Sequence, residues 1–385
     1  MNFRIFLLLF VFALFAETAP ALEYVQFRDD GKVRNEEGRI KEAARDGFIF
    51  QSRDGQLYII ERKDIISRKN DELPFVPYTK KEMLERLKTE FPPNEGYNYL
   101  SNYDSFIVVY TTSKPFAEWY ERLLKKIHEQ YTQYWKKHNV PLSKPEFSMV
   151  AIVFSSEERF RLYAQQDKAP LTKEQCAYYH KLTNRIAMYD MSGQQVFWEG
   201  NQRRIAPGDI PFFLSQPGSY RNIMTLVHEA VHQVGFNTGM HHRHIPRSVV
   251  WVYEGLAVFH EVPDQRDFRN VGWTIGPHVN RSRLEQLRRY WDKPKQEPPI
   301  QKMIQNDDLF RQPATALDNY ALAWGLIYYL DKKYPKELAA YLKVLQEKEF
   351  DSDDSDEIRI KDFESCFGND WDKFYRDFVA FMRRL

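Results

Sequence analysis

The sequence has almost no charge of one sign to spare. Its 55 Lys and Arg face 54 Asp and Glu in 385 residues, a net charge of +1. Nothing is left over to neutralise phosphates, so nucleic acid is not an expected partner. Cysteine is scarce, with only Cys176 and Cys366. An exported chain can pair two cysteines, but nothing in the sequence brings these two together, and two buried thiols are the simpler expectation. There is no internal repeat, and beyond the N-terminus no apolar run long enough to cross a bilayer. Aromatic side chains, by contrast, make up 15% of the chain, with 28 Phe and 23 Tyr. That abundance argues for a substantial core and against disorder.

The N-terminus reads as an export signal over residues 1–21. Arg4 supplies the positive end, Ile5 to Phe15 an apolar run too short to span a bilayer, and Ala19-Pro20-Ala21 the small residues of a cleavage site. An uncleaved anchor is the alternative. The expectation is a mature chain starting near Leu22, with no transmembrane span, in the periplasm, the cell envelope or the extracellular space.

The length exceeds what one compact core needs, so a large domain plus a small one is expected. Residues 22–75 read as a small β module. FIFQSRDGQLYII (48–60) carries two strand-like runs around Asp54-Gly55, a type I′ hairpin signal, and two or three such hairpins closing into a small barrel suit the length. Residues 76–96 read as a linker helix. Residues 97–385 read as a larger α+β domain, with strands at 104–112, 147–156 and 184–191, a long amphipathic helix at 116–138, and a mostly helical pattern from 216 onward.

The chemistry concentrates in TLVHEAVHQVGFN (225–237). Met224, Leu226, Val227, Ala230, Val231 and Val234 make an apolar helix background, with Ser219 as a candidate cap. On that helix His228 and His232 stand four apart, one turn above each other, and can converge on one zinc ion. Glu229 is turned off the line joining them, placed to take a proton from an attacking water. A catalytic zinc needs a third protein ligand. A third histidine in the extended pattern fails, because position 238 is Thr and His241, His242 and His244 are out of register. Glu254, in WVYEGLAVFHE (251–261) on a second expected helix, completes a His, His, Glu set.

H-E-x-x-H followed some twenty residues on by W-x-x-E-G-x-A resembles the gluzincin metallopeptidases. Here the second element is Trp251-Val-Tyr-Glu254-Gly255-Leu256-Ala257, with Glu261 at the later acidic position of the aminopeptidase branch. The gap between the two elements is a few residues longer than in that branch, and the HHRH stretch (241–244) absorbs it. The resemblance covers roughly residues 216–335. It implies a zincin-like fold, with a small sheet over the active-site helix and a helical C-terminal half. It also implies zinc held by His228, His232 and Glu254, Glu229 as general base, Tyr320 as stabiliser of the oxyanion, and Glu261 orienting a ligand histidine. The layout of export signal, β module and catalytic domain is similar to an uncharacterised exported bacterial branch of that superfamily. The G-x-M-E-N element that binds a free amine in the aminopeptidases is missing, so peptide or protein is the implied substrate without aminopeptidase specificity. Two alternatives stand beside this reading: a non-catalytic envelope scaffold on a peptidase fold, and a zinc hydrolase of a non-peptide cell-wall amide, since zinc chemistry fixes the attack and not the substrate.

Overall fold

The computed structural model describes residues 20–192, 210, 217–243, 249–262, 276–292, 299–312, 315–348 and 354–385. The expected export signal lies outside these residues, except for its last two positions. The chain divides into two compact units, Met1–Arg53 with Leu57–Pro77 and Asp54–Gln56 with Tyr78–Leu385. The architecture is α+β, with an N-terminal sheet and a largely helical C-terminal half. Among the described residues no helix is long and apolar enough to cross a membrane.

The first unit is an antiparallel sheet of β1 (Ala21–Asp29), β2 (Lys32–Ala44), β3 (Gly47–Ser52), β4 (Leu57–Glu61) and β5 (Ile65–Pro74). Val25, Phe27, Phe48, Phe50 and Ile60 form its core. The expected barrel is not closed. The strand order is β4-β3-β2-β1-β5, so β4 and β5 remain edges even though only the short turn Arg62–Asp64 separates them in sequence. Alternating apolar residues announce strands, but whether two edges pair depends on sheet curvature, which alternation does not encode. The expected type I′ turn is also corrected. That turn needs positive φ at both central residues, and at this position only Gly55, at φ 85°, has it. Asp54 instead accepts a hydrogen bond from the Gln56 N–H through its side chain, at 3.1 Å.

The second unit is built on a mixed sheet in the order β6-β7-β8-β10-β9, comprising β6 (Asn98–Leu100), β7 (Phe106–Tyr110), β8 (Met149–Phe154), β9 (Ala177–His180) and β10 (Arg185–Tyr189). β7, β8 and β10 run parallel, while β9 is an antiparallel edge. Helices cover both faces, which is why MVAIVF in β8 is apolar without alternation. Successive side chains still point to opposite faces. Val108, Ala151 and Val153 join one core cluster, while Ile107, Val109, Val150 and Ile152 join the other. The second cluster is closed by α1 (Lys80–Glu90) and α3 (Glu157–Gln166), through Met83, Leu87, Phe160 and Ala164. The helix expected as a linker thus contributes core side chains, and Thr79 with Glu82 forms its capping box.

The first face carries α2 (Lys114–Lys137) and α4 (Pro217–Asn237). α4 starts at Pro217, ahead of the expected cap Ser219, as suits a proline in a first turn. Next come α5 (Val250–His260), α6 (Arg281–Asp292), α7 (Ile300–Gln305), α8 (Asp308–Arg311), α9 (Ala316–Lys333), α10 (Pro335–Glu347), α11 (Asp356–Phe367) and α12 (Trp371–Arg383). α5 is wedged between α4 and α9. Its Trp251 is fully buried and stacked on Tyr341 at 5.9 Å. Its Gly255 lets α9 approach closely, since a Cβ there would stand 2.8 Å from Ile327 Cγ1 and 2.9 Å from the Ala323 carbonyl oxygen. Cys176 and Cys366 are free thiols, the first buried and the second partly exposed.

Candidate metal centre

The residues that sequence spacing singles out meet where α4 and α5 pack. His228 Nε2 lies 3.0 Å from His232 Nε2 and 3.2 Å from Glu254 Oε2, and His232 Nε2 lies 3.3 Å from the same oxygen. The three atoms form a nearly equilateral triangle. Donors about 2.0–2.1 Å from a tetrahedral ion stand about 3.4 Å from one another. The triangle is therefore close to one face of a zinc tetrahedron. Two imidazoles and a carboxylate are also a donor set suited to zinc. The residues present fit a metal ion.

Around the triangle each acid is engaged. Glu261, just past the end of α5, accepts from His228 Nδ1 at 2.9 Å and from Asn280 Nδ2 at 3.0 Å. Asn280 is itself fixed, because its side-chain oxygen accepts from the Arg283 N–H in the first turn of α6, at 3.2 Å. With Nδ1–H given to Glu261, Nε2 is the nitrogen that faces the triangle and would hold a metal. Glu229 points from α4 toward the edge strand, where the Tyr179 backbone N–H donates to its Oε2 at 2.8 Å. His232 differs from His228. Its Nδ1 is buried without a hydrogen-bond partner among the described residues. Its ring is held instead by Tyr253 and Phe236, at centroid distances of 5.5 and 6.4 Å.

The electrostatics follow from burial and these contacts. Burial disfavours charge on His228, but the hydrogen bonds to Glu254 and Glu261 outweigh it, and the net shift is well upward. Burial likewise pushes Glu254 up, but His232 and His228 pull it further down, so it stays ionised. Glu229 is raised above the usual carboxylate range, chiefly by burial, with the two histidines opposing. Glu254 and burial together push the Tyr320 hydroxyl up, so it remains a proton-bearing donor.

Tyr320 stands in the second turn of α9. Its ring centre is 6.4 Å from that of His228, and its hydroxyl has no hydrogen-bond partner among the described residues. The structure thus brings His228, Glu229, His232, Glu254, Glu261 and Tyr320 into one neighbourhood. Of the HHRH stretch, His241 packs against Phe236 and Tyr253, and His244 lies outside the described residues. Sequence reading missed Asn280 and the Tyr179 N–H. An asparagine directly before the helical RSRLEQL was a legible cap signal. A backbone amide on a strand edge leaves no trace in the sequence.

A family model described as a protein of unknown function (DUF1570) matches residues 222–350. That span takes in His228, Glu229, His232, Glu254, Glu261 and Tyr320. No curated protein matches the chain.

Proposed function

We propose that the protein is an exported zinc-dependent peptidase of gluzincin type. The observation that carries this reading is the triangle of His228, His232 and Glu254, with Glu229 one residue along α4 and held at its side. His228, His232 and Glu254 would hold the ion. When bound, the ion makes water acidic enough to attack near neutral pH and polarises a carbonyl. Glu229 takes a proton from the attacking water and passes it to the leaving nitrogen. Tyr320 donates a hydrogen bond to the carbonyl oxygen as charge gathers there. Glu261 and Asn280 hold His228 in one tautomer and one orientation.

The test pairs the wild type with Glu229→Gln, measuring zinc content by elemental mass spectrometry and cleavage of an unstructured peptide mixture by mass spectrometry. The expected result is about one zinc per chain in both, with hydrolysis in the variant reduced about 10²–10⁴-fold. Zinc without cleavage of any peptide, but with release from wall-derived amides, would move the substrate to that class. No zinc uptake by the wild type would sink the enzyme reading and leave the scaffold.

A further inference from the structure

One positive charge near the triangle has no close ion pair among the described residues. Lys181 stands in the turn between β9 and β10, and its Nζ sits 3.7 Å over the centre of the Tyr253 ring and 5.1 Å from that of Phe236. Among the described residues no carboxylate lies within ion-pair distance of it and no hydrogen bond engages its amine. The acids that act on it from a distance are engaged elsewhere, Glu254 by both histidines and Asp307 by Arg359 and the Val250 N–H, while Glu229 is held by the Tyr179 N–H and Glu261 by His228 and Asn280. The side chain of His241 packs on the same two rings and also lacks a hydrogen-bond partner among the described residues. The turn is braced, since the buried Arg243 donates to the Lys181 carbonyl through Nε at 3.0 Å and to the Leu182 carbonyl through Nη2 at 3.1 Å.

A partly buried ammonium, fixed on a braced turn and with no ion pair or hydrogen bond among the described residues, is costly: burial lowers its pKa to about 8 although Glu254 and Asp307 pull the other way from a distance, and an anion placed against it would offset that cost. Tyr253, on which Lys181 rests, is the residue before Glu254 and packs on His232. An anion at Lys181 would therefore lie one side chain away from the triangle.

We propose that Lys181, with His241 beside it, forms a carboxylate-binding subsite next to the metal centre, which selects peptides carrying an acidic group near the bond to be cleaved. The carboxylate is either an acidic side chain or a peptide C-terminus. The proposal rests on the peptidase reading for its substrate, while its test reads binding as well as cleavage. Zinc-loaded Glu229→Gln protein serves as a trap that binds without turning over. Short peptides differing only as Glu or Gln, and as free acid or C-terminal amide, are titrated into it by calorimetry. At least one acidic form is expected to bind about ten- to a hundredfold more tightly than its neutral partner, the range of a hydrogen bond to a charged group, and the pair that shows the difference identifies the source of the carboxylate. Adding Lys181→Met, which keeps the apolar stem on Tyr253, removes the preference with zinc content unchanged, and Lys181→Arg retains most of it. Equal binding within every pair, no binding of any peptide, or a preference that survives Lys181→Met would overturn the proposal. The matched peptides decide the point even where a variant loses zinc. A preference in binding without cleavage by the wild-type protein would fell the peptidase reading and leave the subsite. Cleavage without any preference would do the reverse.

Discussion

The two histidines of the centre sit one turn apart on the same helix and are held by different physics. His228 is braced by a chain of hydrogen bonds, His228 to Glu261 to Asn280, that ends in the cap of α6. His232 has no bond at its far nitrogen among the described residues and is held by the faces and edges of Tyr253 and Phe236. Hydrogen bonds fix direction and tautomer, whereas packing fixes only the space a ring occupies. The braced side should therefore respond to the loss of a single polar atom, and the packed side to the loss of volume.

The largest expected effect is the change that removes what both sides share. Glu254 Oε2 lies within 3.2 Å of one ring and 3.3 Å of the other. In Glu254→Ala the triangle loses its only anion, and zinc measured by elemental mass spectrometry should fall from about one per chain to near none. Retention of zinc by this variant would mean that the third ligand comes from another residue.

Next is the braced side alone. Glu261→Gln keeps the shape of the side chain but weakens its pull on the His228 Nδ1–H, and loss of such an outer partner commonly costs about 10–100-fold in metal affinity. Competition with a chromophoric chelator measures it, and Asn280→Ala should give the same phenotype in weaker form. On the packed side, Tyr253→Leu removes one aromatic contact to His232. Such contacts contribute about 0.5–1.5 kcal/mol, so affinity should fall by no more than about tenfold. If Tyr253→Leu costs more than Glu261→Gln, the distinction between the two sides is wrong.

Much of this centre was legible in the sequence because the determinants are local. Four-residue spacing on an apolar stretch puts His228 and His232 on one face, and the residues around Glu254 announce a second buried helix. Gly255 has a physical reason that spacing does not reveal, namely the Ala323 carbonyl of α9 pressed against it. The strands and helices of the second unit likewise appear near their expected places, because runs such as MVAIVF and the amphipathic 116–138 stretch carry their own period. What was not legible is pairwise and distant. The edges β4 and β5 stay unpaired, Asn280 reaches back to Glu261, the Tyr179 amide meets Glu229, and Lys181 crosses to Tyr253. Each depends on two segments meeting after folding, and no periodicity in either segment records it.

The smallest effect comes from a third histidine, which extends the comparison. His260 ends α5 beside Glu261 but turns into a cage of Tyr131, Tyr134, Trp135 and Phe259. It is fully buried, and neither ring nitrogen has a partner among the described residues. Burial, reinforced by His138 and His278, pulls its pKa down to about 3, where His228 with its two carboxylates is raised. The direction of its pH effect follows from linkage. The unfolded chain binds a proton at this residue below its ordinary pKa of about 6.5, while the folded chain does not until far lower pH. Folding stability is therefore intact well above that pKa and is lost progressively as the pH falls from there toward 3. Between pH 7 and 6 the loss from this one residue is about 0.7 kcal/mol. Urea unfolding of the wild type and of His260→Leu across that interval isolates the term, and the variant should gain on the wild type by this amount as the pH falls. A difference between the two that does not change with pH would mean that water or a proton reaches His260 in the folded state, and that packing alone does not keep an unpartnered histidine neutral here.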